Sequence, residues 1–331
     1  AIFTDEPQFT HKESLPFPES QEEISLTYTN DFDDTFYARY GYHILEKLPE
    51  LVWNRRDGVL SQARYHYHDH VCDRFVEAFS DNLGQWCEQH GIMLTGHAFW
   101  EDTLFLQTKA VGETMRFYRG FQLPGVDMLR DDHYFTTLKQ CQSVAHQQGR
   151  PGIMSEQYGV TNWHFDFKGY KVQGDWQAAL GVTLRVPHLS WMSMEGEAKR
   201  DFPSSFGRQS PWYREYRLIS DHFARLNTVL TRGTPDVRIG VIHPIESYWM
   251  CWGVNSQQTD LREQLEREYE SLTKWMLFGM LEYDFVSESM MSDENPVVEN
   301  NIPLFRVGRM AYEVIVVPGC ITLRAHTIQR L

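Results

Sequence analysis

The chain has few cysteines, no long apolar run and no concentrated positive charge. Its five cysteines, Cys72, Cys87, Cys141, Cys251 and Cys320, are odd in number, scattered, and contain no CxxC pair. That fits reduced thiols in a cytosolic protein better than a disulfide framework or a zinc site. No apolar stretch approaches the roughly 20 residues needed to cross a bilayer. No signal peptide is recognisable, although the sequence opens directly on an apolar strand. Lys and Arg total 31 against 45 acids, a formal net charge of −14. Phosphate-rich partners need clustered basic residues, so nucleic acid is excluded and a neutral or cationic substrate fits this balance better.

Aromatic residues are abundant at 14%. They serve either a large core or a groove whose rings stack on the flat C–H faces of a ligand such as a sugar. With 331 residues, two domains are the default expectation.

The opening stretch AIFTDEPQF (1–9) is an apolar strand tipped by Asp5 and Glu6. Residues 10–31 are polar and proline-bearing, a long loop or small insertion, and helical spacing follows over 32–56 and 61–90. Short apolar runs ending in polar groups then recur at 92–97, 121–128, 151–156 and 182–188, separated by helical patterns at 133–149, 166–181 and 211–233. This alternation predicts a parallel β/α architecture. Only five strand–helix units precede residue 233, whereas a (β/α)8 barrel needs eight. The reading is therefore the later part of a TIM-type barrel, strands four to eight, with an open five-stranded sheet as the alternative. Because half a barrel leaves unpaired strand edges, its other strands are expected from a longer chain or a partner.

Beyond TRGTPD (231–236) the pattern changes to strands at 237–245, 283–288 and 312–319 around a helix at 261–280. This predicts a second, partial doubly wound domain over 237–331 with its own core, after a catalytic domain over 1–233.

The segments TDEP, LTGH, GIMSEQYG, PHLSWMSMEGEAKRDFP, QSPWYREYRLISDHFARLNTVLTRG and VRIGVIHPIESYW, in this order, resemble rhamnosidase-like glycoside hydrolases. More loosely they resemble the barrel glycosidases that include many β-galactosidases. The part after residue 236 resembles the glutamine-amidotransferase-like (flavodoxin-type) module that follows the barrel in several of those enzymes. The resemblance implies an acid/base glutamate at the end of strand four, here Glu6, and a second glutamate at the end of strand seven, here Glu156. Asp5 stands where asparagine is common, which puts one substrate hydrogen bond in question. The rhamnosidase branch is also associated with inverting chemistry and calcium; no cofactor is required, and calcium is the ion the resemblance admits.

Glycoside hydrolysis needs one protonated carboxyl for the leaving oxygen and one carboxylate to attack the sugar or activate water. Glu6 and Glu156 suit these roles, against the plainer reading of strand-end acids bonded to loop amides. Glu101 and Asp127 are further acids near strand tips, suited to substrate hydroxyls or a calcium ion, or to ordinary surface positions. Glu195 lies on the loop after the last barrel strand. His97 and His188 end strands beside the acids and are read as substrate donors or core histidines. Trp100, Trp163 and Trp191 follow strand tips and are stacking candidates, or packing residues. Asp5 completes the substrate-binding set. His66 and His70 share a helical face at metal-ligand spacing, but read better as a solvated helix start. Cys320 reads as an inert thiol, and no metal site is assigned. The alternative functions are a metal-dependent barrel hydrolase or isomerase using His97, Glu101, Glu156 and His188, and a non-catalytic carbohydrate-binding relative.

Overall fold

The computed structural model describes residues 1–197, 200, 202–291, 297–299 and 302–331. Five strands, β1 (Ile2–Thr4), β2 (Leu94–Gly96), β3 (Leu123–Met128), β4 (Ile153–Gln157) and β5 (Val182–Pro187), form one parallel sheet in sequential order. β1 and β5 are its edges and do not pair with each other. Each crossover carries helix, and the apolar runs of β2 to β4 are buried on both faces, as parallel sheets require. Because every strand runs the same way, all five C-terminal tips open on one side.

The helices form where the pattern predicts, with limits set by local chemistry. Gly149 adopts φ 63° and ends the helix Phe135–Gln148, a conformation costly for other residues. The Asp166 carboxylate accepts from Gly169 N and starts the helix Phe167–Ala179. The 61–90 region is one helical path, Gln62–Val76 and Asn82–Gln89, joined by a π-helical turn. Residues 10–31 are a loop pinned by buried Leu15.

The rest of the chain adds β6 (Ile239–Ile242) and β7 (Tyr283–Val286), then a small antiparallel sheet of β8 (Val297–Glu299), β9 (Ile302–Val307) and β10 (Met310–Tyr312), and finally β11 (Val314–Val316). β11, β6 and β7 pair in parallel in that order. The antiparallel sheet has no counterpart in the sequence reading.

The expected separation of two hydrophobic cores at 231–236 is corrected in part. A smaller cluster lies wholly beyond residue 236, but the largest joins Leu94, Val126 and Ile153 to Val241, Trp249 and Phe285. The edge of β7 is capped by side chains of the helix Phe135–Gln148. Phe285 N donates to Ser143 Oγ at 2.8 Å, and Gln147 Nε2 donates to Phe285 O at 2.7 Å. Those bonds satisfy backbone groups that an open edge would expose.

The histidine-rich helix start is also corrected. His68, Asp69 and His70 are buried, because this helix faces the Phe32–Phe36 cluster on one side and the residues after β11 on the other. His70 bonds Thr35 and His66 stacks on Tyr40. Asp69 instead anchors an ion network, pairing with Arg116 and Arg39, and with Arg324 at 2.7 Å. Arg324 also pairs with Glu246 at 2.7 Å. Burial alone would raise the Asp69 carboxyl, but the three arginines hold it well below the usual range. Cys320 is consistent with an inert thiol, since burial pushes it up to about 12.

Gly96, the last residue of β2, has φ 132°, and a Cβ there would lie 2.0 Å from Thr4 O on β1. The close approach of β1 and β2 depends on the missing side chain. Gly96→Ala is expected to destabilise the protein by at least about 2 kcal/mol in urea unfolding, through overpacking and backbone strain. A change within about 0.5 kcal/mol, the range of neutral surface substitutions, would contradict this account of the strand pair.

Candidate active site

Each strand of the parallel sheet delivers a polar group to the same end. β1 is followed by Asp5 and Glu6, β2 by His97, and β5 by His188, while Asp127 and Glu156 sit near the ends of β3 and β4. Asp127 and Glu156 are register partners, side by side on neighbouring strands. His97 Nε2 lies 3.0 Å from Glu156 Oε2 and 3.4 Å from Asp5 Oδ1, and His188 Nε2 is 3.8 Å from Glu156 Oε1. The His97 side chain is wholly buried, whereas Asp5 is exposed.

The electrostatics follow from this crowding. Burial works against charge on His97, but the Glu156 hydrogen bond and the nearby Asp127 and Glu101 carboxyls outweigh it, and its pKa rises to about 9. Burial raises Asp127 to about 7; His97 opposes the shift, while Glu156, Glu6 and Asp5 add to it. Glu6 is also raised, first by burial and then by Asp5 and Glu156, against the pull of His97. Glu6, Asp127 and Glu156 therefore act on one another, as carboxyls around a common mouth must.

Glu101 is not a surface acid. It is buried, and its Oε1 accepts from Ala98 N at 2.7 Å and from the Tyr118 hydroxyl. Gln107 Nε2 and Gln140 Nε2 each donate to Glu101 O at 3.0 Å. These bonds clamp the segment between His97 and Glu101 and hold Trp100 at φ 55°. Burial raises the Glu101 carboxyl to about 8, against the Tyr118 hydrogen bond and His97.

Backbone strain gathers at this end of the sheet. Among the described residues nine non-glycines have positive φ, and seven of them, Glu6, Trp100, Arg130, Tyr158, Val160, Asn162 and Phe202, lie in loops that follow β1 to β5. Left-handed conformations are costly for bulky and β-branched side chains and persist where surrounding structure holds them, commonly at functional sites. A cleft of about 350 Å³ opens here, lined by Glu6, Trp100, Glu101, Asp127, Arg130 and Phe202 among others.

Trp163, Trp191 and Glu195 are not among the cleft-lining residues; the tryptophans are half-buried and Glu195 is exposed on its loop. Tyr118, Arg130, Thr137 and Phe202 escaped the sequence reading. Their positions are set by the folding of loops and a crossover helix, and no spacing in the sequence marks them.

Asp5, His97 and Glu156 are the described group whose ligand atoms, all within 4.8 Å of one another, could hold a metal ion. Glu101 and His188 do not belong to it. One imidazole nitrogen and two carboxylates match zinc-type ligation rather than the oxygen-only shell calcium prefers.

No protein-family model matches the chain. By sequence it is 21% identical over 224 residues to a "Putative beta-glucuronidase" of Formosa agariphila, covering 65% of this chain and 18% of that protein. By structure it superposes on a rhamnosidase from Novosphingobium sp. PP1Y with TM-score 0.64 and 17% identity, over 93% of this chain and 29% of that one. A cold-adapted β-galactosidase from Rahnella sp. R3 gives TM-score 0.53 and 10% identity, over 80% of this chain and 43% of that one. The fold is glycoside-hydrolase-like. The chain spans less than half the length of each of these three proteins. No described helix is long and apolar enough to cross a membrane.

The charge on His97 can be observed directly. Imidazole NMR titration is expected to show the ring protonated to pH about 9, and Glu156→Gln to lower that midpoint by at least about one unit. Since the folded pKa is raised, His97 contributes stability fully below pH about 6.5 and loses it as pH rises through about 9. A wild-type midpoint near 6.5 would contradict the ion pair.

Proposed function

We propose that this chain carries the catalytic carboxyls of a glycoside hydrolase that cleaves a glycosidic bond of an oligo- or polysaccharide, with an α-L-rhamnosidase-like enzyme as one candidate type. The observation that carries the reading is the placing of Glu6 and Glu156 at one end of a parallel sheet, electrostatically in contact, with buried His97 bonded to Glu156. Glu6, whose proton is favoured by burial, is the general acid for the leaving oxygen. Glu156, held by His97, attacks the anomeric carbon or activates the water that does. His97 orients Glu156, and Asp5, Asp127 and His188 face the sugar hydroxyls. Residues 1–233 are in this reading part of a (β/α)8 barrel completed by further strands, and residues 237–331 an amidotransferase-like module.

The test uses Glu6→Gln and Glu156→Gln in the full-length enzyme. Each is expected to lower hydrolysis of an unactivated glycoside by at least about 100-fold, the scale of general acid–base catalysis. Glu6→Gln should lose much less on aryl glycosides whose leaving group needs no proton, while Glu156→Gln loses activity on both. Near-normal activity of both variants would defeat the proposal. Activity abolished by EDTA yet insensitive to Glu6→Gln would instead favour a metal held by Asp5, His97 and Glu156. Sugar binding without turnover would indicate a carbohydrate-binding relative.

A further inference from the structure

The loop after β3 holds an arginine that its surroundings leave unused. Arg130 lines the cleft together with the carboxyls of Glu6, Glu101, Asp102, Asp127 and Asp132. Among the described residues its guanidinium pairs with none of them and makes no side-chain hydrogen bond. Its side chain is exposed, so it can stay solvated without an ion pair at little cost and remains available to a ligand. The backbone that carries it is fixed. Arg130 has φ 59°, its N–H donates to Gly159 O at 2.7 Å, and its carbonyl accepts from Gln173 Nε2 at 3.2 Å. Gln173 is fully buried and itself accepts from Trp176 Nε1 at 3.0 Å, so the tether is rigid. Left-handed backbone of this kind, held by its surroundings, clusters at functional sites.

A second observation lies on the same wall of the cleft. Thr137, in the first turn of the helix that follows this loop, also lines the cleft and is only 3% exposed. Its hydroxyl has no hydrogen-bond partner within the protein. A buried hydroxyl without a partner is costly, and a ligand atom in the cleft would relieve that cost.

We propose that the loop following β3 forms a subsite for a carboxylate-bearing sugar, a uronic acid, anchored by the Arg130 guanidinium with the Thr137 hydroxyl as a second donor. This rests on the glycosidase reading. A guanidinium presents two parallel N–H groups that match a carboxylate in plane and spacing, which a neutral hydroxymethyl group does not. The overall charge of −14 and the acids of the cleft favour a neutral substrate. Burial, however, raises Glu101 to about 8 and Asp127 to about 7, and protons held there weaken the repulsion an acidic sugar meets. Arg130 then supplies the selective contact.

The experiment compares matched 4-nitrophenyl glycosides, uronide against the corresponding neutral hexoside in both anomers, with full-length wild-type enzyme and the Arg130→Met and Arg130→Lys variants. Wild type is expected to prefer the uronide by at least about 10-fold in kcat/KM, the scale of one charge-assisted hydrogen-bonded pair. The preference ratio should collapse to about one in Arg130→Met, recover in part in Arg130→Lys, and fall with added salt. A wild-type preference for the neutral sugar, or a ratio unchanged by Arg130→Met, overturns the subsite while leaving the glycosidase reading intact. If neither glycoside is cleaved, the glycosidase reading is left to the Glu6→Gln and Glu156→Gln tests on other glycosides. The subsite is then decided by NMR binding of free glucuronate against glucose: tighter binding of glucuronate that Arg130→Met removes supports it, and equal binding overturns it.

Discussion

The imidazole of His97 is shielded from solvent at the end of β2, and burial alone would strip its proton. The carboxyls of Glu156, Asp127 and Glu101 reverse that balance, and the resulting cation in turn moderates their repulsion. Without it, four adjacent strands would bring Asp5, Glu6, Glu101, Asp127 and Glu156 together with no buried cation at the centre. Like charges at such spacing force protonation of some members, so the position of His97 governs which carboxyl keeps a proton and which stays paired. The different roles proposed for Glu6 and Glu156 rest on that arrangement. It needs the close approach of β1 to β2 at Gly96, which brings Asp5 over the imidazole.

The sheet end is held still by structure well outside it. The segment between His97 and Glu101 is fixed by Tyr118, Gln107 and Gln140, all buried. Tyr118 ends the short helix Thr114–Tyr118, and Arg116 in that helix belongs to the ion network of Asp69, Glu246 and Arg324. Burial pushes Glu246 up to about 7 against the pull of Arg324 and Arg116. Buried ion networks are poor sources of net stability but leave little freedom for alternative packing. Here the network and the shared apolar cluster tie the residues after β6 to the helices that carry the cleft.

The strands, their direction and the acids at their tips were legible because buried parallel strands are short apolar runs with polar ends, as in GIMSEQ and FQLPGVD. Asp5, Glu6, His97, Asp127, Glu156 and His188 all follow from that rule, and all reach the same end of the sheet. The burial of Asp69 and His70 was not legible. Their helix has polar residues on several faces, and partners that cover them lie on the separate helix Phe32–Tyr40 or more than 200 residues later. The shared core escaped for a similar reason, since composition at TRGTPD marks a turn in the chain but not what packs across it. Arg130 reads from sequence as one more charged loop residue; its left-handed backbone and its place on the cleft distinguish it.

The assignment of Glu6 as the proton donor is the claim on which the account turns, and the pH dependence of kcat/KM tests it most directly. With an unactivated glycoside, the full-length enzyme should lose activity on the alkaline side as Glu6, its carboxyl raised by burial, gives up its proton. Glu6→Gln, measured on an activated aryl glycoside, should lack that alkaline limb while retaining the limb due to the second carboxylate. An alkaline limb that persists at the same pH in Glu6→Gln would show that another group donates the proton, and would contradict the account.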